Sequence, residues 1–445
     1  MKEFYLKNLL LHNYRRFEDL EIELNPQMNV LIGKNAAGKT TILEAVNVML
    51  GAYLSAYKKY VSSQYVWNIS ETDILQKTMQ QGSQNALVAP TIPQFPCKVG
   101  CSMNWDGKEI EYQRIVEKDG GRTKFDGKNP MQPRVTKWEK AIASADGTDL
   151  EEIYPLVLYL SSARLWNENK NGEFTQIPNR MEAYKRCLDD KRGSQSAFAY
   201  IQLLANISAE ERDGKPLPVY DAIMEAVQYS MGEELSEKRS VLYSSRYKEI
   251  AVKNEDGTVI RFASLSDGYR NIIKIVTDIA TKMCILNPQL EKDVLKLTPG
   301  IVVIDELDLS LHPTWQKRIV RILKTLFPKV QFICATHSPF IVQSLGAGEL
   351  IPLDDIQGDK YSGESIEDIA EDFMQVSTPQ YSERKEKMYK AAEEYFAALE
   401  RSTSAAEIQE LKGKMDVLSA EYSDNPAYCA LIQQKYLEKK IKVEA

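Results

Sequence analysis

Apolar positions along this chain fall into two patterns. Met28–Gly33, Pro155–Ser161, Gly300–Asp305 and Val330–Ala335 are short, continuously apolar runs. Runs of that kind, without alternation, predict parallel strands covered on both faces. Residues 40–50 (TTILEAVNVML) and 270–283 (RNIIKIVTDIATKM) instead read as helices. Two of the apolar runs end directly in a polar motif, so the pattern predicts an α/β fold whose functional loops lie at the carboxyl ends of its strands. A third region, after the polar stretch DDIQGDKYSGES (354–365), is helical and charged. There Met388, Ala391, Ala392, Tyr395, Phe396 and Leu399 recur at spacings of three and four, one apolar stripe on a charged helix (382–402), followed by a second helical stretch (406–422). This tail is either an appendage packed on its parent domain or a helical surface for another protein. No repeat of 20–50 residues, low-complexity tract or sustained heptad is present.

Composition narrows the class. A chain of 445 residues, 43% hydrophobic and 27% charged, is a multi-domain globular protein and not a collagenous or disordered one. No apolar run reaches the roughly 18 residues of a membrane span. The start, MKEFYLKNLLLHNYRRFEDL, lacks the pattern of a signal peptide. Six scattered cysteines point to a reducing cytosol, so a cytoplasmic location is expected. The net charge of −7 sits mostly in the tail: 17 acidic and 11 basic residues follow position 360, against 46 and 45 before it. The total therefore says little about nucleic acid and more about the tail as a docking surface.

The candidate chemistry begins where the first apolar run ends. Gly33-Lys34-Asn35-Ala36-Ala37-Gly38-Lys39-Thr40, followed by Thr41, fits G-x-x-x-x-G-K-[ST] between a strand and a helix. The glycines let backbone N–H groups curl around phosphate oxygens at a helix N-terminus. Lys39 then faces the β/γ-phosphates and Thr40 offers its hydroxyl to Mg²⁺, so ATP and Mg²⁺ are the expected cofactors. The run Ile301–Ile304 ends in Asp305-Glu306. A carboxylate leaving a buried strand needs a partner, and Mg²⁺ held through water supplies one for Asp305. Glu306 is placed to orient or deprotonate an attacking water.

Three further segments carry a family resemblance. Ala263-Ser264-Leu265-Ser266-Asp267-Gly268-Tyr269 resembles the LSGGQ-type signature of ABC ATPases, with Asp and Tyr at two of its positions. Leu307-Asp308-Leu309-Ser310-Leu311-His312-Pro313 resembles the D-loop, and Ala335-Thr336-His337-Ser338-Pro339 the switch histidine. In their order along the chain these motifs resemble an ABC-type P-loop ATPase. The resemblance implies an ABC-type head over residues 1–355, with an inserted helical/β lid region at about 51–260 and a C-terminal helical appendage over 356–445. It also implies a γ-phosphate contact from His337, and a head-to-tail homodimer or higher oligomer in which Ser266 and Gly268 of one copy close on the ATP of another.

More than 200 residues separate Thr41 from Ser264, far more than in transporter subunits, and the insertion is not a coiled-coil arm. The opening with Arg15, Arg16 and Phe17 resembles the N-[FY]-R-x-F start of RecF- and OLD-like ATPases. That places Arg16 near the nucleotide or on a DNA-facing surface, the alternative being a polar β-turn. No nuclease motif follows the switch histidine. The tail pattern 364–396, with YLSSARLW (159–166) and NRMEAYKRCLDD (179–190), resembles the PtuA ATPase subunits of Septu antiphage systems, also found with retrons. This resemblance implies a separately encoded HNH endonuclease as partner, possible retron components, and DNA contacted only indirectly or weakly; no membrane partner is expected. A RecF-like repair ATPase acting without a nuclease, and an ATP-bound scaffold, are the competing readings. The Q-loop glutamine is not assigned: Glu71-Thr72-Asp73-Ile74 lies where that loop falls, with Gln76 and Gln94 as candidates. Cys97 and Cys101 read as buried or reactive thiols rather than half a zinc site, and Trp67, Trp105 and Trp166 as core or interface anchors rather than base-stacking platforms.

Overall fold

The computed structural model describes residues 3–57, 59–78, 91–144, 152–165, 174–189, 195–211, 217–231, 239–353, 364–374, 376, 379, 382–401 and 405–419. The chain opens with a hairpin, β1 (Phe4–Tyr14) and β2 (Phe17–Glu23), and continues into β3 (Met28–Ile32) and α1 (Lys39–Leu54). A two-stranded ribbon, β4 (Gln76–Thr78) and β5 (Thr91–Pro93), precedes β6 (Cys97–Trp105), β7 (Lys108–Val116) and β8 (Lys124–Phe125). Then come α2 (Gln132–Ser144), β9 (Leu156–Leu160), α3 (Gln195–Glu211) and α4 (Pro218–Ser230). A three-stranded sheet of β10 (Arg239–Ser244), β11 (Glu249–Asn254) and β12 (Val259–Arg261) leads into α5 (Asp267–Leu286). The last part of the first unit holds β13 (Gly300–Ile304), α6 (Pro313–Leu326), β14 (Val330–Ala335), α7 (Pro339–Gln343) and β15 (Leu350–Pro352).

The four apolar runs are β3, β9, β13 and β14, and with β15 they form a parallel sheet in the order β15-β3-β14-β13-β9. Every residue of those four strands is buried, which is why they lack alternation. A second sheet, β2-β1-β6-β7-β8, is antiparallel. Helix α1 packs against strands of both sheets and is apolar nearly all round, as a helix enclosed on every side must be. A buried amide joins the two sheets: Leu6 N–H donates to Gln331 Oε1 at 2.8 Å, and Gln331 Nε2 donates to the carbonyls of Leu6 at 2.8 Å and Asn25 at 2.9 Å.

The span between phosphate loop and signature contributes to both sheets, through β6–β8 and through β9. Part of the stretch 51–260 therefore belongs to the two-sheet frame itself, while α3, α4 and β10–β12 form a cap region packed on α5.

The chain divides into two compact units, Met1–Glu364 and Ser365–Ala445. In the second, α8 (Glu383–Glu400) and α9 (Ala405–Ser419) pair around Ala391, Ala392, Tyr395 and Met415, with Ile408, Leu411 and Leu418 against them. The predicted stripe is thus buried inside its own hairpin at Ala391, Ala392 and Tyr395, and Met388 is buried as well. The side chains of Phe396 and Leu399 lie outside the described residues, as does most of the predicted boundary at 354–365. Among the described residues no helix is long and apolar enough to cross a membrane.

Candidate functional site

Three neighbouring parallel strands, β3, β14 and β13, each deliver a motif at the carboxyl end. The phosphate loop follows β3, Thr336-His337 follows β14, and Asp305-Glu306 follows β13. Parallel strands that lie side by side must end at the same edge of the sheet, so these three segments converge.

The loop is shaped for an anion. Gly38 is the N-cap of α1, in the left-handed region at φ 104°, and supplies no side-chain cap. An uncapped helix N-terminus is an anion site by virtue of its oriented N–H groups. Lys39 is 8% exposed, and its ammonium donates to the carbonyls of Gly33 at 2.7 Å and Lys34 at 3.1 Å, folded across the loop. Lys34, Asn35, Ala36 and Thr40 are exposed, Ala37 is buried, and Gly33 and Thr41 are half-buried.

The arginines of the opening motif sit on this loop. Tyr14 pairs with Phe17, so Arg15-Arg16 is the two-residue turn of the β1–β2 hairpin. Arg16 donates to the carbonyl of Ala36, and its guanidinium lies 5.7 Å from the Phe17 ring centroid. The Phe17 ring in turn sits 2.6 Å from where a Cβ on Gly38 would lie. Arg16 therefore lies in a polar turn and beside the phosphate loop. Arg15 points elsewhere, to Asp73 Oδ1 at 2.8 Å and to Glu44 of α1. Burial pushes the Glu44 carboxyl up, Arg15 pulls it back, and Asp73 and Asp305 push it further up.

On the other two strands, Asp305 is 7% exposed and its Oδ1 accepts the Glu306 N–H at 3.1 Å. Glu306 is exposed and holds a left-handed backbone, φ 48°, a conformation that L-residues adopt at a cost and that clusters at functional sites. Asp308 connects the D-loop to the switch: its Oδ1 accepts from Thr336 Oγ1 at 2.5 Å and from the His337 N–H at 3.1 Å. The His337 ring is exposed at that edge.

A buried carboxylate at a strand end, an exposed hydroxyl at Thr40 and a lysine folded over an uncapped helix start form a hard-oxygen and cationic donor set. That chemistry fits a nucleoside triphosphate with Mg²⁺. Asp305 and Thr40 are the residues that would hold the metal, and the loop N–H groups with Lys39 the phosphates.

The signature segment lies against the D-loop. Asn271 Nδ2 donates to the Leu309 carbonyl at 2.6 Å, and a Cβ on Gly268 would lie 3.2 Å from the Ser310 carbonyl. Ser266 is the N-cap of α5, but its hydroxyl makes no cap bond. Among the described residues no hydrogen bond joins this segment to the phosphate loop. His312, which falls inside the D-loop motif, is a helix cap: its ring accepts the Thr314 N–H at 3.3 Å at the start of α6.

Other candidates resolve as structure. Cys97 and Cys101 are buried on β6, and burial pushes both thiols up to about 12. Buried thiols held protonated are poor nucleophiles, and among the described residues no cluster of metal-ligating side chains forms. Trp67 donates to the Leu188 carbonyl at 2.7 Å, and Trp105 packs edge-on against Phe4, Tyr53 and Trp138. Trp166 lies outside the described residues. Gln76 and Gln94 stand together, since the Gln94 N–H donates to the Leu75 carbonyl at 2.8 Å. Sequence reasoning gave no role to Phe17, Glu44 and Asp308. Phe17 and Asp308 had a signal, their places in the opening and D-loop motifs, and Glu44 had none.

Comparison with known proteins finds AAA-type families. Residues 8–215 match the family described as "AAA domain", and residues 154–343 that described as "AAA domain, putative AbiEii toxin, Type IV TA system". The chain is 24% identical to the "Retron Vc95 probable ATPase" of Vibrio cholerae serotype O1 biovar El Tor over 399 residues, covering 78% of this chain and 72% of that one. It is 23% identical to the "Septu protein PtuA" of Bacillus mycoides over 79% of this chain, which spans 41% of that larger protein. Among solved structures, an SMC head domain from Thermotoga maritima aligns with a TM-score of 0.41 at 14% identity, over 78% of this chain and 93% of that one.

Proposed function

We propose that this chain, which belongs with the ABC-type AAA ATPases alongside the retron and Septu ATPases, is the ATP-binding and hydrolysing subunit of a prokaryotic antiphage defence complex. The observation that carries the ATPase reading is the convergence of the phosphate loop, Asp305-Glu306 and His337 at one edge of the parallel sheet. In it, the loop N–H groups and Lys39 would hold the triphosphate, and Asp305 and Thr40 would hold Mg²⁺, which would supply charge neutralisation at the phosphates. Glu306 accepts the proton of the attacking water, and His337 faces the γ-phosphate. The head-to-tail reading is supported by the signature lying against the D-loop, with the Ser266 hydroxyl making no cap bond in α5. A second copy, head to tail, supplies the missing half, and ATP joins the copies until hydrolysis loosens them. The names of the relatives support a defence role, in which this chain's nucleotide state controls a separately encoded HNH endonuclease in the cytoplasm.

The test uses the full chain with ATP and Mg²⁺. Glu306→Gln is expected to keep ATP binding, lose hydrolysis by about 10²–10⁴-fold and accumulate as an ATP-dependent dimer in light scattering. Lys39→Ala is expected to lose binding. Nucleotide affinity unchanged in Lys39→Ala refutes the phosphate-loop assignment, and equal inertness of wild type and Glu306→Gln favours a scaffold. An adjacent gene carrying an H-N-H motif supports the nuclease partner. Salt-dependent DNA retention by the isolated chain, with no such gene, favours the RecF-like alternative.

A further inference from the structure

Arg15 and the segment 70–75 make one connected unit at the rim of the phosphate loop. The Arg15 guanidinium binds two carboxylates, Asp73 Oδ1 at 2.8 Å and Glu44. Glu44 lies on α1, one turn beyond Thr40. The other Asp73 oxygen, Oδ2, accepts from Ser70 Oγ at 2.7 Å and Ser70 N–H at 2.8 Å, closing the turn 70–73 on itself. Asp73 is 5% exposed, so its charge has left water and depends on these partners. The backbones are also joined: Arg15 N–H donates to the Asp73 carbonyl at 2.6 Å, and Leu75 N–H to the Asn13 carbonyl at 3.0 Å. Asn13 and Arg15 both hold left-handed backbones, φ 52° and 51°. Two such non-glycine residues, one at the end of β1 and one in its turn, persist only where the surroundings over-determine them, and here the Asp73 and Leu75 bonds do so.

The unit has two outputs. On one side the turn presents Arg16 to the Ala36 carbonyl of the phosphate loop. On the other, Leu75 leads directly into the β4–β5 ribbon, whose return strand is tied back by the Gln94 N–H on the Leu75 carbonyl at 2.8 Å.

We propose that Arg15 is a positioning residue that latches the β4–β5 ribbon to the phosphate-loop helix, so that nucleotide at the loop is felt in the segment 70–78. Arg15 does this without touching nucleotide. Its planar fork spans Glu44 and Asp73 together, a reach that one ammonium does not reproduce. The inference rests on the phosphate loop binding ATP.

Hydrogen exchange on the full chain, with and without saturating ATP and Mg²⁺, reads the latch directly. In the wild type, ATP is expected to slow exchange of the amides in 70–78 at least fivefold, on the order of 1 kcal/mol. Arg15→Ala leaves two carboxylates facing each other and is expected to weaken ATP binding about tenfold. At saturating ATP it retains the nucleotide but loses the slowing at 70–78. Asp73→Asn, which keeps the shape, is expected to lose it too, and Arg15→Lys to recover it only in part. A salt bridge that merely stabilises the fold would lower the melting temperature of these variants and leave the ATP-dependent slowing in place, which overturns the proposal. ATP binding by the wild type without slowing at 70–78 overturns the latch alone, whereas no ATP binding by the wild type overturns the ATPase reading beneath it.

Discussion

Gly38→Ala tests whether the hairpin and the phosphate loop are fitted to one another. Two costs meet at this position. The backbone φ is 104°, where an L-residue with a Cβ is strained by about 1–2 kcal/mol. The added Cβ would also lie 2.6 Å from Phe17 Cζ, 2.9 Å from Cε2 and 3.3 Å from Arg16 Cδ. Overpacking of that kind costs about 1–3 kcal/mol and is relieved only by moving the ring. The combined penalty, about 2–5 kcal/mol, is below the 5–15 kcal/mol by which domains are stable, so the variant folds. It relaxes by displacing Phe17, and with it Arg16, from the loop. Titration calorimetry with ATP and Mg²⁺ is expected to show affinity reduced at least about 30-fold, equivalent to roughly 2 kcal/mol, while circular dichroism keeps the wild-type signature. Adding Phe17→Ala removes the clash but leaves the φ strain, so the double variant is expected to recover part of the loss, a coupling of about 1–3 kcal/mol. Wild-type ATP affinity in Gly38→Ala would refute the fit, and strict additivity of the two changes would refute the role of Phe17.

Three other outcomes are expected. Asp308→Ala removes the acceptor shared by Thr336 Oγ1 and the His337 N–H; steady-state kinetics are expected to show kcat about tenfold lower with ATP affinity unchanged, the sign of an interaction needed only in the transition state, and Asp308→Asn to recover part of it. Gln331→Leu strands the Leu6 N–H and C=O, a loss of about 1–3 kcal/mol seen as a melting temperature several degrees lower in calorimetry. Burial raises the Cys97 and Cys101 thiols from 9.0 to about 12. The folded state therefore holds these protons more tightly, and their contribution is intact below pH 9 and lost as pH rises toward 12. Denaturant midpoints should fall across that window by less in Cys97→Ala/Cys101→Ala, and native thiol labelling at pH 8 should spare both residues.

How much of this was legible in the sequence depended on where the physical signal is local. The strands of the parallel sheet are covered on both faces, so β3, β9, β13 and β14 appear as continuous apolar runs and were readable one by one. The phosphate loop was readable because cradling phosphate needs glycines and a lysine at fixed spacing. The antiparallel sheet was not. Its strands β1, β2, β6 and β7 carry mixed patterns, such as the mostly exposed FEDLEIE of β2, and the β1–β6 pairing that joins its two hairpins links residues some 90 apart. Arg15 and Arg16 show the same limit: adjacent in sequence and alike in chemistry, they face Asp73 and Ala36 respectively because a tight hairpin turn sends neighbouring side chains different ways. The stripe members Ala391, Ala392 and Tyr395 lie on one apolar face, yet periodicity alone did not say what covers them, and α9 does.

By itself, then, the sequence determined the kind of chemistry, through motifs whose residue types and spacing are dictated by phosphate and metal, and the layer of buried strands that carries them. Only the tertiary structure decided that β3, β14 and β13 are neighbours, that Phe17 packs on Gly38, and that Arg15 joins Glu44 to Asp73. Those are contacts between residues distant in the chain, fixed by register and by the need to pair buried charge, and no local pattern encodes them.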